Sequence, residues 1–283
     1  MFPFDKLDKL EELSVLDALV SPLSRVVDGA LRPRALENAL HGTWLGHPLH
    51  AVLVQAPLGA FTSAALLDVT GADPDAADLL VSAGLLSALP AAAAGASDWA
   101  KSNPSTQRSG LVHAALNGVG LALWGGSRLA RSRGRRALGR RLGLAGLGAL
   151  TASSTIGGHL SYRRGLGASS EADIADTGPA DWTDIGTDDL PEGKPVLRDA
   201  GGTPVLLVRE GERIEALANR CAHQAGPLHE GSLADGCVTC PWHGSTFRMA
   251  DGSVVRGPSV HPQPAFDVRR SAGRLEVRLR HQG

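Results

Sequence analysis

The chain has 283 residues, with 28 Lys and Arg against 29 Asp and Glu. That length leaves room for two domains, and the balanced charge gives no electrostatic basis for binding nucleic acid. It holds three cysteines, Cys221, Cys237 and Cys240. If Cys221 and Cys240 serve one site, no internal disulfide can form outside it.

Residues 4–31 carry Leu7, Leu10, Leu13, Leu16, Leu19, Leu23 and Val26 at helical spacing among charges. With Pro22 and Pro33 as punctuation, this predicts a solvated or interfacial amphipathic helix within an N-terminal segment over 1–45. The first twenty residues are too charged to supply the apolar stretch of a cleavable signal.

From residue 49 the composition shifts to Ala, Gly, Ser and Leu. Four apolar segments, 49–69, 78–97, 109–130 and 142–161, each come close to the roughly 20 residues that span a bilayer. Their small residues suit close helix packing in lipid, and a buried soluble bundle is the alternative. The expectation is a four-helix transmembrane domain over 46–164. Gly46-His-Pro-Leu-His50 before the first segment and Gly157-Gly-His-Leu-Ser-Tyr162 at the end of the fourth resemble a family of four-helix bacterial membrane domains of unknown function.

This half contains His41, His47, His50, His113 and His159. Threading four spans puts the start of the first and third and the end of the second and fourth on one side. His47, His50, His113 and His159 therefore gather near one leaflet, on the side where the C-terminal half begins. Ionisable groups in spans default to a functional reading. Three readings stand open: interfacial histidines held by Asp98, Asn117 or backbone, axial ligands to haem b, or the lining of a quinone or metal site. Orientation is balanced. Arg131, Arg133, Arg135, Arg136, Arg140 and Arg141 lie in one loop, against Arg25, Arg32, Arg34, Lys101, Arg108, Arg163 and Arg164 on the other side.

Residues 165–180 read as a flexible linker with a span of about 20 Å. Beyond them come short strands, 204–209, 213–218, 265–269 and 274–279, the last pair alternating apolar and charged residues. An all-β domain over 181–281 follows.

Within it stand Cys221-Ala-His223 and Cys240-Pro-Trp-His243, two pairs that each offer one thiolate and one imidazole. Thiolates are soft, strongly donating ligands, whereas neutral imidazoles leave their iron easier to reduce. Cys₂His₂ is also a zinc set, but a zinc finger orders its ligands Cys-Cys then His-His, and here each loop supplies one of each. The flanks, Cys221-Ala-His-Gln-Ala-Gly-Pro-Leu, Cys240-Pro-Trp-His-Gly-Ser-Thr-Phe, Asp251-Gly-Ser and Gly257-Pro, resemble the Rieske-type [2Fe–2S] ferredoxin family. The resemblance implies both Cys on one iron and both His on the other, with His223 and His243 at the exposed edge. It also implies that Ser245 hydrogen-bonds a bridging sulfide, and that Phe247 stands where high-potential members carry Tyr. The disulfide of the bc-type branch has no counterpart, because Gly226 and Trp242 stand near those places. Cys237 reads as a small apolar strand residue.

The expected architecture is thus an α-helical membrane bundle followed by an all-β Rieske domain. The expected function is membrane-anchored transfer of single electrons between redox proteins, with haem b, quinone or another protein as partner and lipid around the anchor. The rivals are the ferredoxin component of a multi-subunit Rieske oxygenase system and a membrane redox sensor. Ferredoxin-type resemblance points to the cytoplasmic side.

Overall fold

The computed structural model describes residues 4–31 and 33–280, in two compact units, Met1–Pro33 with Pro48–Leu166 and Arg34–His47 with Gly167–Gly283. Of the residues named above, 1–3, Arg32 and 281 lie outside the described residues. In chain order the helices are α1 (Phe4–Glu12), α2 (Asp17–Ala30), α3 (Arg34–His41), α4 (Leu49–Leu53), α5 (Gln55–Thr70), α6 (Pro74–Ala100), α7 (Pro104–Ser132), α8 (Arg136–Gly158) and α9 (Ile174–Thr177). Helices α3 and α9 belong to the second unit.

The first unit is helical. The Asp73 carboxylate accepts the Ala76 N–H at 3.0 Å and Pro74 follows it, which together start α6. Gly71, with φ +71°, ends α5 in the left-handed conformation that favours glycine. The core forms where Phe61 of α5 stacks on Trp124 of α7, ring centroids 4.7 Å apart, with Ala64, Ala65, Val81 and Leu150 around them. Small residues make this approach possible. A Cβ at Gly84 would fall 2.6 Å from the Phe61 ring, and one at Gly143 2.8 Å from Trp124. Near the other ends of α5 and α6, the buried Arg131 guanidinium of α7 is held between Asp68 and Asp78.

The four expected apolar segments appear as long helices, with α4 and α5 together forming the first. Among the described residues, two stretches are long and apolar enough to cross a membrane, Leu49–Thr70 and Pro74–Ala100. The 29-residue α7 and 23-residue α8 do not meet that measure, since Gly and Ser, with His113 and Asn117 in α7 and Thr in α8, dilute their apolar residues. The N-terminal pattern becomes two helices instead of one, broken around Ser14–Leu16. On α2, Val20 is buried while Leu19, Leu23 and Val26 are exposed.

The second unit is built on two antiparallel sheets. Its strands are β1 (Thr183–Thr187), β2 (Val196–Ala200), β3 (Thr203–Glu210), β4 (Arg213–Ala218), β5 (Ser232–Ala234), β6 (Cys237–Thr239), β7 (Thr246–Arg248), β8 (Val254–Arg256), β9 (Ala265–Ser271) and β10 (Arg274–Leu279). The larger sheet runs β1-β10-β9-β4-β3-β2 and the smaller β5-β6-β7-β8. Along β3, Val205 and Leu207 enter one core with Phe266 and Val277, while Leu206 and Val208 enter another with Val238 and Phe247. This is the period-2 alternation of a strand buried on both faces.

Two boundary expectations are corrected. Residues 34–45, read as part of the N-terminal segment, and 46–47, read as the start of the transmembrane domain, belong to the β unit. The Glu37 carboxylate takes Arg256 Nε at 2.7 Å and Nη2 at 3.2 Å, and Asn38 brackets the Val255 carbonyl and the Gly257 N–H. Much of 165–180, read as a flexible linker, is packed. Ser170 N–H donates to the Ala222 carbonyl at 2.8 Å, and Ile174 lies in the core beside Leu279. The stretch is polar in composition, so one buried Ile and a few backbone bonds anchor it without a periodic signal.

Candidate metal centre

The first Cys/His pair lies on the loop leaving β4, and the second on the tight turn joining β6 to β7. In the first loop Ala225 N–H closes on the Cys221 carbonyl, and Cys221 N–H on Gly226 O, both at 2.8 Å. In the second, Cys240 N–H donates to Ser245 O at 2.8 Å. Cys221 and Cys240 are buried, 1% and 3% exposed, and the Cys221 thiol donates to Cys240 Sγ. The His223 and His243 rings stand 5.1 Å apart, nearly perpendicular, with His243 and Trp242 toward the surface. The two thiols thus meet in the interior and the two rings meet beside each other; His223 is itself buried, so the expected exposed edge is corrected to His243 alone.

The electrostatics suit metal ligation. Hydrogen-bonding from Cys221, and then the Trp242 and His243 N–H groups, lower the Cys240 thiol to about 7 against burial. The Cys221 thiol is pushed up, first by the proton it gives Cys240 and then by burial. The first proton thus leaves the pair from Cys240. Burial, followed by the nearby His243 and His41, lowers His223 to about 3, so its ring is neutral and can offer a lone pair.

The residues fit a [2Fe–2S] cluster on grounds internal to the structure. His223 Nδ1 is buried and has no hydrogen-bond partner, a state that a metal ion would resolve. A Cβ at Gly226 would fall 2.8 Å from Cys240 Sγ, so only glycine leaves the sulfur its place. The Ser245 hydroxyl is fully buried and accepts the Ser259 N–H at 2.9 Å, which leaves its own proton to donate. Phe247 is fully buried opposite Val238, in the core that also holds both cysteines. Cys237 lies apart, on β6.

Sequence reasoning missed two contributors. The fully buried Gln263 side chain donates to the Ala218 and Arg220 carbonyls at 2.7 and 2.6 Å and accepts the Ala222 N–H at 2.9 Å, pinning the first loop. Nothing local marks a glutamine 41 residues from Ala222. The second is His41 of α3, fully buried against Gly257 and within electrostatic reach of His223.

The histidines of the helical half separate. His47 falls in the Arg34–His47 piece of the β unit. His159 Nε2 meets Glu11 at 3.0 Å and Asp8 at 3.6 Å, carboxylates also paired with Arg164 and Arg163. Asp8, Glu11 and His159 have metal-ligand spacing, but the two arginines already compensate the acids. His50 and His113 each rest on a backbone carbonyl of a neighbouring helix, Ala91 and Ser153 respectively.

An all-β unit that closes two Cys/His loops on one centre has the form of an iron–sulfur domain. Residues 182–267 match the family described as "Rieske [2Fe-2S] domain", and residues 46–170 match "Predicted membrane protein (DUF2231)". The chain is 32% identical over 101 residues to the anthranilate 1,2-dioxygenase ferredoxin subunit of Burkholderia cepacia, covering 35% of this chain and 94% of that subunit. It is 30% identical over 77 residues to ferredoxin CarAc of Metapseudomonas resinovorans, covering 27% and 72%. Human apoptosis-inducing factor 3 is 33% identical over 94 residues, only 16% of its length. Among solved structures, the ferredoxin of carbazole 1,9a-dioxygenase from Nocardioides aromaticivorans IC177 is 29% identical, with a TM-score of 0.33, covering 34% of this chain and 96% of that one. The chain belongs to the Rieske [2Fe-2S] domain family, and its cofactor is a Rieske-type cluster.

Proposed function

We propose that this protein is a membrane-anchored carrier of single electrons, held by a helical domain over 46–164 whose four long helices cross the bilayer. The Rieske domain occupies 181–281, joined to the bundle near 165–180, on the cytoplasmic side. The observation that carries the reading is the meeting of the buried Cys221 and Cys240 thiols, together with the paired His223 and His243 rings, of which His243 is the more exposed. The bound cluster supplies one-electron chemistry at a potential set by its two imidazole ligands and by hydrogen bonds to its sulfurs. The chain's own residues supply the rest. The His223 and Gln224 N–H groups aim at Cys221 Sγ, and those of Trp242 and His243 at Cys240 Sγ, stabilising negative charge there. Burial of both sulfurs excludes water, while His243 and the half-exposed Trp242 form the edge through which a partner is met.

The similarity to the ferredoxin subunit of a dioxygenase supports a second reading, in which the electron goes to a separate oxygenase component. In both, the protein is an electron-transfer component of an oxidoreductase system, and the open membrane partners are haem b, quinone and a redox protein. The test is full-length protein purified anaerobically in detergent from the membrane fraction. Reduction should give the rhombic low-g-average paramagnetic signal of a Rieske centre, and an added acceptor should abolish it at one electron per cluster. Zinc without iron and sulfide, or protein found only in the soluble fraction, overturns the reading.

A further inference from the structure

Within the helical unit the same imidazole seat is built twice. His50 of α4 places Nδ1 2.8 Å from the Ala91 carbonyl of α6, and its ring lies over Gly95, one helical turn further on. His113 of α7 places Nδ1 2.9 Å from the Ser153 carbonyl of α8, and its ring lies over Gly157, again one turn further on. A Cβ at Gly95 would fall 2.8 Å from His50 Nδ1, and one at Gly157 3.1 Å from His113 Cε1. Each ring therefore rests directly on a glycine of the neighbouring helix. The Ser153 hydroxyl adds a second clamp, 2.9 Å from both His113 Nδ1 and the His113 carbonyl.

These contacts determine the tautomer. A carbonyl oxygen only accepts, so Nδ1 carries the proton in both rings and the neutral imidazoles keep their lone pairs on Nε2. Imidazoles bound to metals are oriented in this way, with one ring nitrogen donating to a backbone carbonyl and the other given to the ion. His113 Nε2 meets the Asn117 amide at 3.1 Å, one turn along its own helix, where a single χ rotation would clear it. The two rings lie within electrostatic reach of one another. Two imidazoles from separate helices, each anchored through Nδ1 on a backbone carbonyl with a glycine beneath the ring, repeat the arrangement that metal-bound histidines use.

We propose that His50 and His113 form a metal site in the helical unit, binding an imidazole-preferring iron or other transition-metal centre through their two Nε2 atoms. The chemistry is shared by haem iron and by a free transition-metal ion, both of which take neutral imidazole nitrogen. His47 and His159 are not part of it, the first lying in the other unit and the second already held by carboxylates. The site gives a place in the chain to the membrane redox partner raised under the proposed function, and in that sense it rests on that reading.

The test is elemental analysis and optical spectroscopy of the full-length protein purified in detergent, with Cys240→Ser to remove the cluster's iron. Cys240→Ser should retain one metal equivalent per chain. A Soret band with a pyridine haemochrome identifies haem, and metal without such a band identifies a free ion. His50→Ala and His113→Ala in that background should each lose at least nine-tenths of this metal, whereas His47→Ala and His159→Ala should keep it. Gly95→Ala and Gly157→Ala, which leave both ligands present but displace the rings, should weaken metal retention at least tenfold. Helical circular dichroism separates misfolding from loss of a ligand. Cluster-free protein with no metal, or His50→Ala and His113→Ala variants that retain it, overturns the site; quinone without metal does so too. The cluster signal of the Cys-intact protein is read separately, so failure here leaves the Rieske assignment standing and the reverse also holds.

Discussion

Glu37 and Arg256 lie 219 residues apart and form a two-pronged ion pair, at 2.7 and 3.2 Å, that seats α3 on the β unit. Glu37 is 1% exposed, so the pair is shielded from solvent on the carboxylate side. Chain from before the long helices thus completes the domain that follows them. Arg256 is partly exposed, which reduces the full cost of breaking a buried pair. Arg256→Ala should lower the stability of the β unit by about 1–3 kcal/mol. Denaturant unfolding of the full chain, followed by visible cluster absorbance, measures the shift.

Ligand removal should separate cleanly from removal of Cys237. Cys240→Ser and His243→Ala should abolish the reduced paramagnetic signal, and Gly226→Ala should weaken it by crowding Cys240 Sγ. Cys237→Ser should leave the signal and the iron content unchanged, since that thiol sits on β6 away from the loops. Iron and sulfide assays on the same preparations check each outcome.

The potential should lie low in the Rieske range, about −150 to +50 mV, because Phe247 carries no hydroxyl and no disulfide ties the loops. Ser245→Ala should lower it further and also destabilise the unit by about 1–3 kcal/mol, since the buried Ser259 N–H loses its acceptor. Phe247→Tyr should move the potential upward. Protein-film voltammetry on the three proteins decides, and a parent midpoint near +300 mV, the top of the Rieske range, contradicts the expectation.

Glu171 makes the β unit's stability depend on pH. Burial raises its carboxyl from 4.5 to about 7, and the Arg220 guanidinium at 3.1 Å only partly offsets this. The folded state therefore holds this proton where the unfolded state has lost it, and stability falls as pH rises from about 4.5 to about 7 and levels off above. The shift corresponds to roughly 3 kcal/mol. Glu171→Gln should match the parent near pH 4.5 and exceed it near pH 8, in unfolding curves taken across that window.

How much was legible follows from the range of the forces involved. The Cys and His residues of the two loops are two or three positions apart within each pair, so ligand type and spacing are local properties that the sequence carries by itself. The same holds for β3, β4, β9 and β10, whose alternation is a two-residue pattern, and for the long apolar helices. The packed stretch around Ile174 was not legible, because a Ser- and Asp-rich segment looks like coil unless its one core residue is known to be buried.

The amino-acid sequence by itself determined a helical half, an all-β half and the family of the metal centre, because periodicity and ligand spacing act within a few residues. Only the tertiary structure decided what reaches that centre and what holds each histidine of the helical half. Gln263 meets Ala222 across 41 residues, Glu37 meets Arg256 across 219, and His159 turns to Glu11 across 148. His50 and His113 acquire their common seat from glycines on two other helices. Such pairings arise when the packed chain satisfies buried polar groups at a distance, and no local pattern encodes them.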